Sequence, residues 1–396
     1  MNNVFELNGE CTGCSACSIV CPAGAISMKK NNEGFFAPSI NFDLCIKCGI
    51  CKKVCIKETP FVKTDCISTL ALQAKDKNVL LGSSSGGVAT TISQSFVLDG
   101  GFVLGSFFNY KTNTVETKTT NCLANLELFK KSKYLQSDFH NGLMSAVRIA
   151  KEDKTAKFLI FGTPCQINGA VNVCEFYGIK DQFTFVDFFC HGVPSYLIWD
   201  YYLSDKGIDK DSLSYVSFRT KKYGWQSCFA IQIKDSKKDI FVSSGKDDFY
   251  NSFFDNVFLM KSCYSCKYRF GFSKADARLG DYWGGRYSKN EDGVSSALVF
   301  TEKGKKIMNS SLLIELPAGD DILFAQSTNK YTEEQYREFA FRSLDSEKSL
   351  KKAINKYRKR FPIIKRFKLW FKKIVTVIFP KRILNKIKSI KWKKLD

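Results

Sequence analysis

The chain has 396 residues, of which 44% are apolar and 14% aromatic. This length provides two or three domains with sizeable cores, so the composition excludes an intrinsically disordered protein. Sixteen cysteines accompany only two histidines, which excludes a histidine-rich zinc or copper enzyme. The formal net charge is +21, and residues 351–396 contribute 18 Lys or Arg against one acidic residue. The charge distribution therefore predicts a nearly balanced globular body followed by a basic tail.

The N-terminal residues lack the basic start and apolar stretch of a secretory signal. We therefore predict a cytoplasmic protein without disulfides. The longest strongly apolar run without a charge covers seven residues, 374–380, whereas a helix needs about 20 to span a bilayer. No transmembrane helix is expected.

Eight cysteines form two copies of the pattern C-x-x-C-x-x-C-x-x-x-C, offset by 34 residues. In this pattern three thiolates hold one 4Fe-4S cluster and the fourth reaches the neighbouring cluster. Structural zinc sites usually show two C-x-x-C pairs around a longer loop, which fits these runs poorly. The pattern resembles bacterial ferredoxins with two 4Fe-4S clusters over residues 1–60, although Ile56 stands where a second Pro is usual. The predicted ligand sets are Cys11, Cys14, Cys17 and Cys55 for one cluster, and Cys45, Cys48, Cys51 and Cys21 for the other.

Apolar β-rich runs alternate with helical patterns from residue 78 onward, which predicts a mixed sheet flanked by helices. The fold class is therefore α+β: a small two-cluster ferredoxin domain at 1–65, a larger mixed α/β domain in two parts at 75–155 and 156–320, and a helical, basic tail at 321–396. The predicted strands are 78–81, 102–108, 157–161, 183–189, 214–218, 228–233 and 297–300, and the main predicted helices are 86–98 and 140–152.

A Ser/Gly-rich segment at 83–87 lies between the first predicted strand and helix. Free backbone N–H groups at a helix N-terminus suit a phosphate, but a Ser-rich cap without any ligand gives the same pattern. The segment is neither a G-x-G-x-x-G fingerprint nor a P-loop. Lys133 and Tyr134 would add a charge and a ring to a cofactor pocket, the alternative being an exposed Lys and a core Tyr.

Four further cysteines lie in conspicuous positions. Cys165 and Cys190 follow two consecutive predicted strands, and Cys263 and Cys266 form a C-x-x-C. Ends of neighbouring parallel strands meet at one edge of a sheet, where α/β proteins place their sites. A third 4Fe-4S cluster, a redox dithiol and buried structural cysteines all remain open on spacing alone. The other cysteines have no partner at motif spacing and are expected to be isolated thiols: Cys66, Cys122, Cys174 and Cys228.

The order of these motifs resembles the family of coenzyme F420 hydrogenase/dehydrogenase beta subunits over residues 1–310. The tandem ferredoxin pattern comes first. The later motifs are Ser85-Gly86-Gly87, Gly162-Thr163-Pro164-Cys165-Gln166, Cys190-His191-Gly192-Val193-Pro194-Ser195, the Cys263 and Cys266 pair, Ala275-Asp276, and Gly280-Asp281-Tyr282-Trp283-Gly284.

The resemblance implies a flavoprotein domain with bound FAD beside a third 4Fe-4S cluster, whose ligands are then Cys165, Cys190, Cys263 and Cys266. It also implies that Ser85, Gly86, Gly87 and Lys133 lie near the FAD. Asp281, Tyr282, Trp283 and Gly284 are expected to line its ring or the substrate. The alternative for the last group is a loop in which Tyr282 and Trp283 merely pack.

These features predict an iron-sulfur flavoprotein oxidoreductase that passes electrons between ferredoxin-type clusters and FAD to reduce or oxidise an organic substrate. His191 is the candidate proton donor, its alternative role being a hydrogen bond near the cluster. The other functions considered are coenzyme F420 oxidoreduction and a non-catalytic electron-transfer subunit. An electron donor or acceptor protein is the expected partner, and specific nucleic-acid binding is not expected because the basic residues are confined to the tail.

The tail combines apolar residues at three-and-four spacing with lysines and arginines between them. Such a helix lies in the plane of an anionic membrane surface, which predicts peripheral attachment at the inner face of the membrane. A helix packed on the body and a Lys-rich tail that binds any polyanion are the alternatives. The apolar positions are Ile363, Ile364, Phe367, Trp370, Phe371, Ile374, Val377 and Ile378, followed by Ile383, Leu384, Ile387 and Ile390.

Overall fold

The computed structural model describes residues 11–59, 64–225, 230–269, 273–323 and 334–361. None of the helices in these ranges has the length and apolar character needed to cross a membrane. The mixed sheet and the small cysteine-rich N-terminal domain that the sequence predicts are both present.

The N-terminal domain repeats one short unit. Helix α1 (Ala16–Ile19) and helix α2 (Ile50–Lys53) are separated by the same 34 residues as the cysteine motifs. Between them, strands β1 (Ile26–Lys30) and β2 (Phe36–Ile40) form an antiparallel hairpin. The turn of this hairpin is closed by the Asn31 side chain, whose Oδ1 accepts hydrogen bonds from two backbone N–H groups of the turn.

The strands of the larger part form two sheets. These strands are β3 (Ser68–Ala74), β4 (Phe102–Asn109), β5 (Thr114–Thr120), β6 (Ser137–Asp138), β7 (Phe158–Phe161), β8 (Phe183–Phe188), β9 (Tyr215–Thr220), β10 (Ala230–Lys234), β11 (Asp239–Ser243), β12 (Ala277–Asp281), β13 (Ser295–Val299) and β14 (Leu313–Leu316). A nine-stranded mixed sheet has the order β14-β3-β13-β12-β8-β7-β4-β5-β6, and a three-stranded antiparallel sheet has the order β11-β10-β9. Strands β12, β8, β7 and β4 are parallel neighbours, so their carboxyl ends share one edge.

The helices connect these strands and cover the sheet. Most begin at a side-chain cap, for example Ser195 and Thr301, whose hydroxyls accept backbone hydrogen bonds of the first turn. The helices are α3 (Lys77–Gly82), α4 (Val88–Leu98), α5 (His140–Glu152), α6 (Pro164–Phe176), α7 (Tyr196–Asp205), α8 (Asp248–Asp255), α9 (Lys261–Tyr264), α10 (Glu302–Met308), α11 (Glu334–Glu347) and α12 (Leu350–Arg358).

One predicted element has the wrong type. Residues 78–81 were expected to form a strand but belong to helix α3. The Asp76 carboxylate caps this helix by accepting hydrogen bonds from the N–H groups of Asn78 at 2.7 Å and Val79 at 3.4 Å. The strand of this region is β3, which ends two residues before the cap. Because four apolar residues fit either structure, the local cap decided the outcome.

The first part of the predicted tail packs on the body. Helices α11 and α12 contribute buried side chains to the largest hydrophobic cluster, which is centred on Trp199 of α7. The Tyr357 hydroxyl donates to the buried Asp255 carboxylate at 2.7 Å, and Arg358 pairs with the same carboxylate at 2.6 Å. Residues 362–396, which hold the amphipathic pattern, lie outside the described residues.

Polar contacts join the N-terminal domain to the larger part. The Gln136 side chain is buried and exchanges two hydrogen bonds with the backbone of Phe36, at 2.7 and 3.1 Å. Arg337 of α11 forms a bidentate pair with Glu33 at 2.6 and 2.8 Å. The small domain is therefore held in a defined orientation against the sheet and its helices.

Candidate iron-sulfur sites and the adjoining cofactor site

Two cavities of the N-terminal domain are each lined by four cysteines. Each cavity takes three cysteines from one copy of the repeat and the last cysteine from the other copy. Their volumes are about 370 and 360 Å³. The first set consists of Cys11, Cys14, Cys17 and Cys55, and the second set consists of Cys21, Cys45, Cys48 and Cys51.

The backbone around the two sets follows the repeat as well. Gly13 and Ser15 have positive φ angles of 64° and 65°, and Lys47 and Gly49, 34 residues later, have 55° and 75°. A left-handed backbone is uncommon for Ser and Lys, so its recurrence indicates a constraint from the site. This conformation turns amide groups toward sulfur, as in the 3.3 Å hydrogen bond from Gly13 N–H to Cys11 Sγ.

Burial makes these thiols difficult to ionise without a cation. Burial, reinforced by the neighbouring Cys55, raises the pKa of Cys14 to about 12. Burial and the nearby cysteines also raise the pKa of Cys17 well above its usual range. Since metal ligands must be thiolates, such a donor set fits a positively charged iron centre. No three His, Cys, Asp or Glu side chains of the described ranges converge closely enough for a single metal ion, a spacing that a four-iron cluster, lying between its four thiolates, does not require.

A third set of four cysteines comes together in the larger part: Cys165, Cys190, Cys263 and Cys266. Cys165 lies in the first turn of α6, directly after β7, and Cys190 follows the parallel neighbour β8. Helix α9 and the turn after it supply the other two. Burial and then the adjacent Cys266 raise the pKa of Cys190 to about 11, and burial and all three other cysteines raise the pKa of Cys165. The edge of parallel strands thus collects thiols that are up to 101 residues apart in the chain.

A buried ion pair holds the loop that carries Cys266. Arg278 of β12 donates two hydrogen bonds to Asp187 of β8, both at 2.7 Å. Its guanidinium also donates to the carbonyl oxygens of Tyr268 at 3.0 Å and Arg269 at 3.1 Å. No sequence pattern indicated this role, because the partners are 91 residues apart and an Arg in a strand pattern is usually exposed.

The first and third sets are close neighbours. Helix α6 begins with Cys165 and, one turn later, packs Gly169 against Cys14, so a Cβ atom at position 169 would lie 2.9 Å from Cys14 Sγ. Tyr268 is also buried here: its hydroxyl donates to the Ile56 carbonyl at 2.6 Å. Burial and four cysteines, from the first and third sets, raise the pKa of this tyrosine. Tyr268 therefore lies between the two sets, a position that the sequence did not reveal.

The Ser/Gly segment 83–87 is bonded to the protein itself. Gly86 approaches the backbones of Leu72 and Ser295 so closely that no side chain fits, and Gly87 has a φ of 82°. The Ser85 hydroxyl donates to the Val294 carbonyl at 3.0 Å. Packing therefore explains both glycines without a ligand.

Lys133, the cation expected near this segment, donates from Nζ to the carbonyls of Leu128 and Lys130 at 3.0 and 2.7 Å. Burial, with a smaller effect of Lys131, lowers its pKa to about 7. The segment that carries it also touches the Ser/Gly segment, since the Ser132 N–H donates to Ser84 Oγ at 2.9 Å. The structure thus brings these two predicted elements into contact.

Asp281 belongs to a polar and aromatic cluster at the end of β12. Its carboxylate pairs with the buried Arg219 at 2.6 Å and accepts from the Trp225 indole at 2.7 Å. The Trp283 ring stacks on Trp225, with 5.9 Å between centroids, and the Arg219 guanidinium lies 5.2 Å from it. Lys221 lies in the same electrostatic environment, and burial lowers its pKa to about 8. Sequence reasoning missed Arg219, Lys221 and Trp225, whose partners lie far along the chain.

The two other residues of this motif pack against the protein. Tyr282 is fully buried, and its hydroxyl donates to Asp321 at 2.5 Å. Gly284 faces the same carboxylate so closely that a side chain would clash with it. Tyr282 and Gly284 therefore have structural contacts, whereas Asp281 and Trp283 face the cluster of cations and rings.

His191 follows Cys190 and contacts an aromatic wall. Its Nε2 lies 2.5 Å from Asn256 Oδ1, and its ring centroid lies 4.7 Å from that of Phe253. Burial, followed by the positive charge of Arg269, lowers the pKa of His191 to about 4. A neutral imidazole hydrogen-bonded beside the third set matches the alternative role considered for it. Proton donation to a substrate stays a prediction.

The fold and the cysteine sets define a two-cluster ferredoxin domain joined to a larger α/β domain with further cysteines at its sheet edge. Comparison with known families identifies both parts. Residues 10–59 match the 4Fe-4S dicluster domain. Residues 155–316 belong to the family that comprises the C terminus of the coenzyme F420 hydrogenase/dehydrogenase beta subunit. The family resemblance expected from the sequence is thus confirmed.

Individual relatives agree with this assignment. The chain is 24% identical over 168 residues to the F subunit of the F(420)H(2) dehydrogenase of Methanosarcina mazei, an alignment that covers 40% of this chain and 47% of that protein. It is 24% identical over 351 residues to the coenzyme F420-dependent sulfite reductase of Methanocaldococcus jannaschii, an alignment that covers 81% and 48%. The chain therefore spans about half the length of these curated relatives.

A solved structure has a similar fold. A chain of the F420-reducing NiFe hydrogenase complex from Methanosarcina barkeri superposes with a TM-score of 0.50 at 15% identity, over 72% of this chain and 96% of that chain. The protein is thus an iron-sulfur protein related to oxidoreductases.

Proposed function

We propose that this protein is an FAD-dependent iron-sulfur oxidoreductase that passes electrons between its ferredoxin clusters and a bound FAD to reduce or oxidise an organic substrate. The observation that carries the proposal is the contact between the first and third sets. Cys165 and Gly169 are one turn apart on the same face of α6, and Gly169 touches Cys14. A redox centre held by the third set would therefore adjoin one held by the first.

The three sets run from the surface to the interior. Cys48 of the second set is exposed, whereas most of the first set is buried. The third set lies beyond the first, at the carboxyl edge of the parallel strands. This sequence of sites supports stepwise electron transfer from the surface toward the larger domain. We infer that all twelve cysteines are cluster ligands and that residues 1–65 act as a separate domain from the two parts at 75–155 and 156–320.

The cluster around Arg219 has the chemistry that an FAD requires. Arg219 and Lys221 supply buried positive charge, and Trp225 and Trp283 supply stacked rings. Both are suitable for a large anionic cofactor with an aromatic ring system. When bound, FAD couples one-electron transfer from iron-sulfur clusters to two-electron chemistry on a substrate.

The residues of the chain have distinct tasks in this proposal. Arg278, anchored on Asp187, fixes the Cys266 loop by two hydrogen bonds to its carbonyls. Tyr268 and Gly169 fill the space between the first and third sets. Arg219 holds Asp281 in one orientation and keeps its own charge at the Trp283 ring. His191, if it transfers a proton, must first release the Asn256 hydrogen bond.

Two other functions compete with this one. The names of the relatives favour coenzyme F420 as the substrate. A non-catalytic electron-transfer subunit is favoured by the hydrogenase complex to which the similar chain belongs. Anaerobic reduction followed by titration separates the three, because the reduced protein would be reoxidised by another small molecule, by coenzyme F420, or only by a partner protein.

The tail adds a proposal about location. The amphipathic pattern of residues 362–396 supports peripheral attachment to an anionic membrane at the cytoplasmic face. The membrane-binding unit would begin after Phe361, because the preceding helix is packed on the body.

Cofactor analysis of anaerobically reconstituted full-length protein tests the main proposal. We expect about twelve irons, about twelve sulfides and about one FAD per chain, from three four-iron clusters and one flavin. Serine at Cys263 should lower iron by about four, whereas serine at the isolated Cys174 should leave it unchanged. Eight irons in the wild type, unaffected by the Cys263 variant, or the absence of flavin would contradict the proposal.

A further inference from the structure

The surface around the second set exposes an unusual group of apolar side chains. Phe42 is 49% exposed, Leu44 51% and Ile46 66%. Elsewhere in the described ranges, no stretch of five residues exposes three large apolar side chains. Isolated exposed apolar residues are ordinary, but a contiguous apolar patch usually marks an interaction site.

The patch adjoins the most accessible of the redox cysteines. Ile46 and Lys47 line the same cavity as Cys45 and Cys48, and Cys48 is the one exposed cysteine among the three sets. A partner that covered this patch would therefore lie directly against the second set. The first set offers no comparable access, because Gly169 and Gln136 pack against its loop.

The charges around the patch are mainly positive. Lys47 and Lys53 are exposed and Lys52 is half-buried, whereas Asp43 is the single acidic residue between positions 41 and 53. Positive rims around apolar centres attract negatively charged partners and accelerate their association. Electron-transfer complexes are typically small and transient, with less than about 1,200 Å² of buried surface, so a patch of this size is sufficient.

We propose that the surface formed by Phe42, Leu44, Ile46, Lys47 and Lys53 is the docking site for a small acidic one-electron carrier protein. This inference rests on the proposed function, in which the second set holds a cluster. The carrier is oxidised by one electron as that cluster is reduced by one electron, or the reverse, and no bond is formed or broken. The apolar centre excludes water from the contact, and the lysines orient the acidic partner.

Stopped-flow reduction tests the docking site. The probe is a small acidic 2Fe-2S ferredoxin, chemically reduced and mixed anaerobically with reconstituted full-length protein. Leu44→Asp is the main variant, since Leu44 belongs to the patch without lining the cysteine cavity. We expect its second-order rate constant to fall by about tenfold or more. Lys53→Glu should also slow the reaction and weaken its dependence on salt.

Matched controls separate the patch from general effects. Leu98→Asp changes a side chain that is 68% exposed on α4, and Lys237→Glu changes an exposed lysine between β10 and β11. Both should react at the wild-type rate. Dithionite should reduce all variants equally, because it needs no docking site.

The outcomes are distinguishable from failure of the proposed function. If the wild type is not reduced by the acidic ferredoxin, or if Leu44→Asp and Lys53→Glu both react at the wild-type rate, the docking proposal is overturned. Loss of binding to anionic vesicles in the same variants would instead identify the patch as a membrane contact and also overturn it. A wild type that binds no iron would refute the proposed function. Should Leu44→Asp alone lose iron, Lys53→Glu decides the result.

Discussion

Replacing Arg278 with methionine should destabilise the protein strongly and deplete the third set of iron. The Arg278 and Asp187 side chains are 2% and 0% exposed, and two hydrogen bonds of 2.7 Å join them. Removing the cation leaves a buried carboxylate whose remaining side-chain donor is the Ser273 hydroxyl, at 2.6 Å. Breaking a buried pair in this way costs about 3 to 5 kcal/mol. At about 1.4 kcal/mol per factor of ten, the folding equilibrium shifts by more than a hundredfold.

A double variant separates the charge from the loop. Asp187→Leu combined with Arg278→Met removes both charges, and replacement of a whole buried pair by apolar residues is often neutral. Most of the lost stability should return. The carbonyls of Tyr268 and Arg269 would still lack their donors, so the Cys266 loop should remain poorly held. We therefore expect low iron at the third set in the double variant as well.

Urea unfolding under anaerobic conditions measures the stability, and iron analysis measures the third set. Lys180→Met is a matched control, because Lys180 pairs with Glu175 at 2.7 Å while both side chains are more than 40% exposed. This variant should lose less than about 1 kcal/mol. A cost below about 1 kcal/mol for Arg278→Met, or full iron in the double variant, would show that the pair has no such role.

Three further predictions concern other regions. Tyr268→Phe should cost about 0.5 to 1.5 kcal/mol through its lost hydrogen bond and keep electron transfer from the ferredoxin clusters to the third set, whereas Tyr268→Leu should slow that transfer in rapid-freeze EPR; equal rates would contradict a bridging role. Burial raises the pKa of Asp247 to about 6, so the folded state binds a proton that the unfolded state releases, and this stabilising contribution is lost as pH rises through about 6. Relative to Asp247→Asn, the wild type should therefore lose on the order of 1 to 3 kcal/mol of unfolding free energy as the pH rises from about 4 to about 7, and an unchanged difference would refute the raised pKa. Removing residues 362–396 should abolish pelleting with anionic vesicles, where each basic side chain is worth about 1 kcal/mol, without changing iron content; a truncated protein that still pellets would disprove the membrane proposal.

Local spacing was sufficient to predict the two cysteine sets of the N-terminal domain. Their members come from two short runs, and the 34-residue repeat imposes the same left-handed backbone at Gly13 and Lys47, and again at Ser15 and Gly49. Three cysteines at such short intervals can reach only one site, so little depends on the rest of the fold. The long, periodic helix α5 was predicted with its observed bounds for the same reason.

The third set lies between local and tertiary information. The sequence located Cys165 and Cys190 at the ends of two strands. It did not establish that β7 and β8 are parallel neighbours or that α9 returns to the same edge. Spacing left three interpretations open, because distance along the chain is unrelated to distance across a sheet.

Other features depended entirely on the tertiary structure. Arg219 meets Asp281 across 62 residues, and Arg278 meets Asp187 across 91. Tyr268 acquires its position from packing between two domains. Each of these side chains has an ordinary sequence context, and its burial beside a particular partner results from strand order and domain docking. The sequence by itself determined the thiols and their spacing, and only the assembled sheet decided which distant charges and rings surround them.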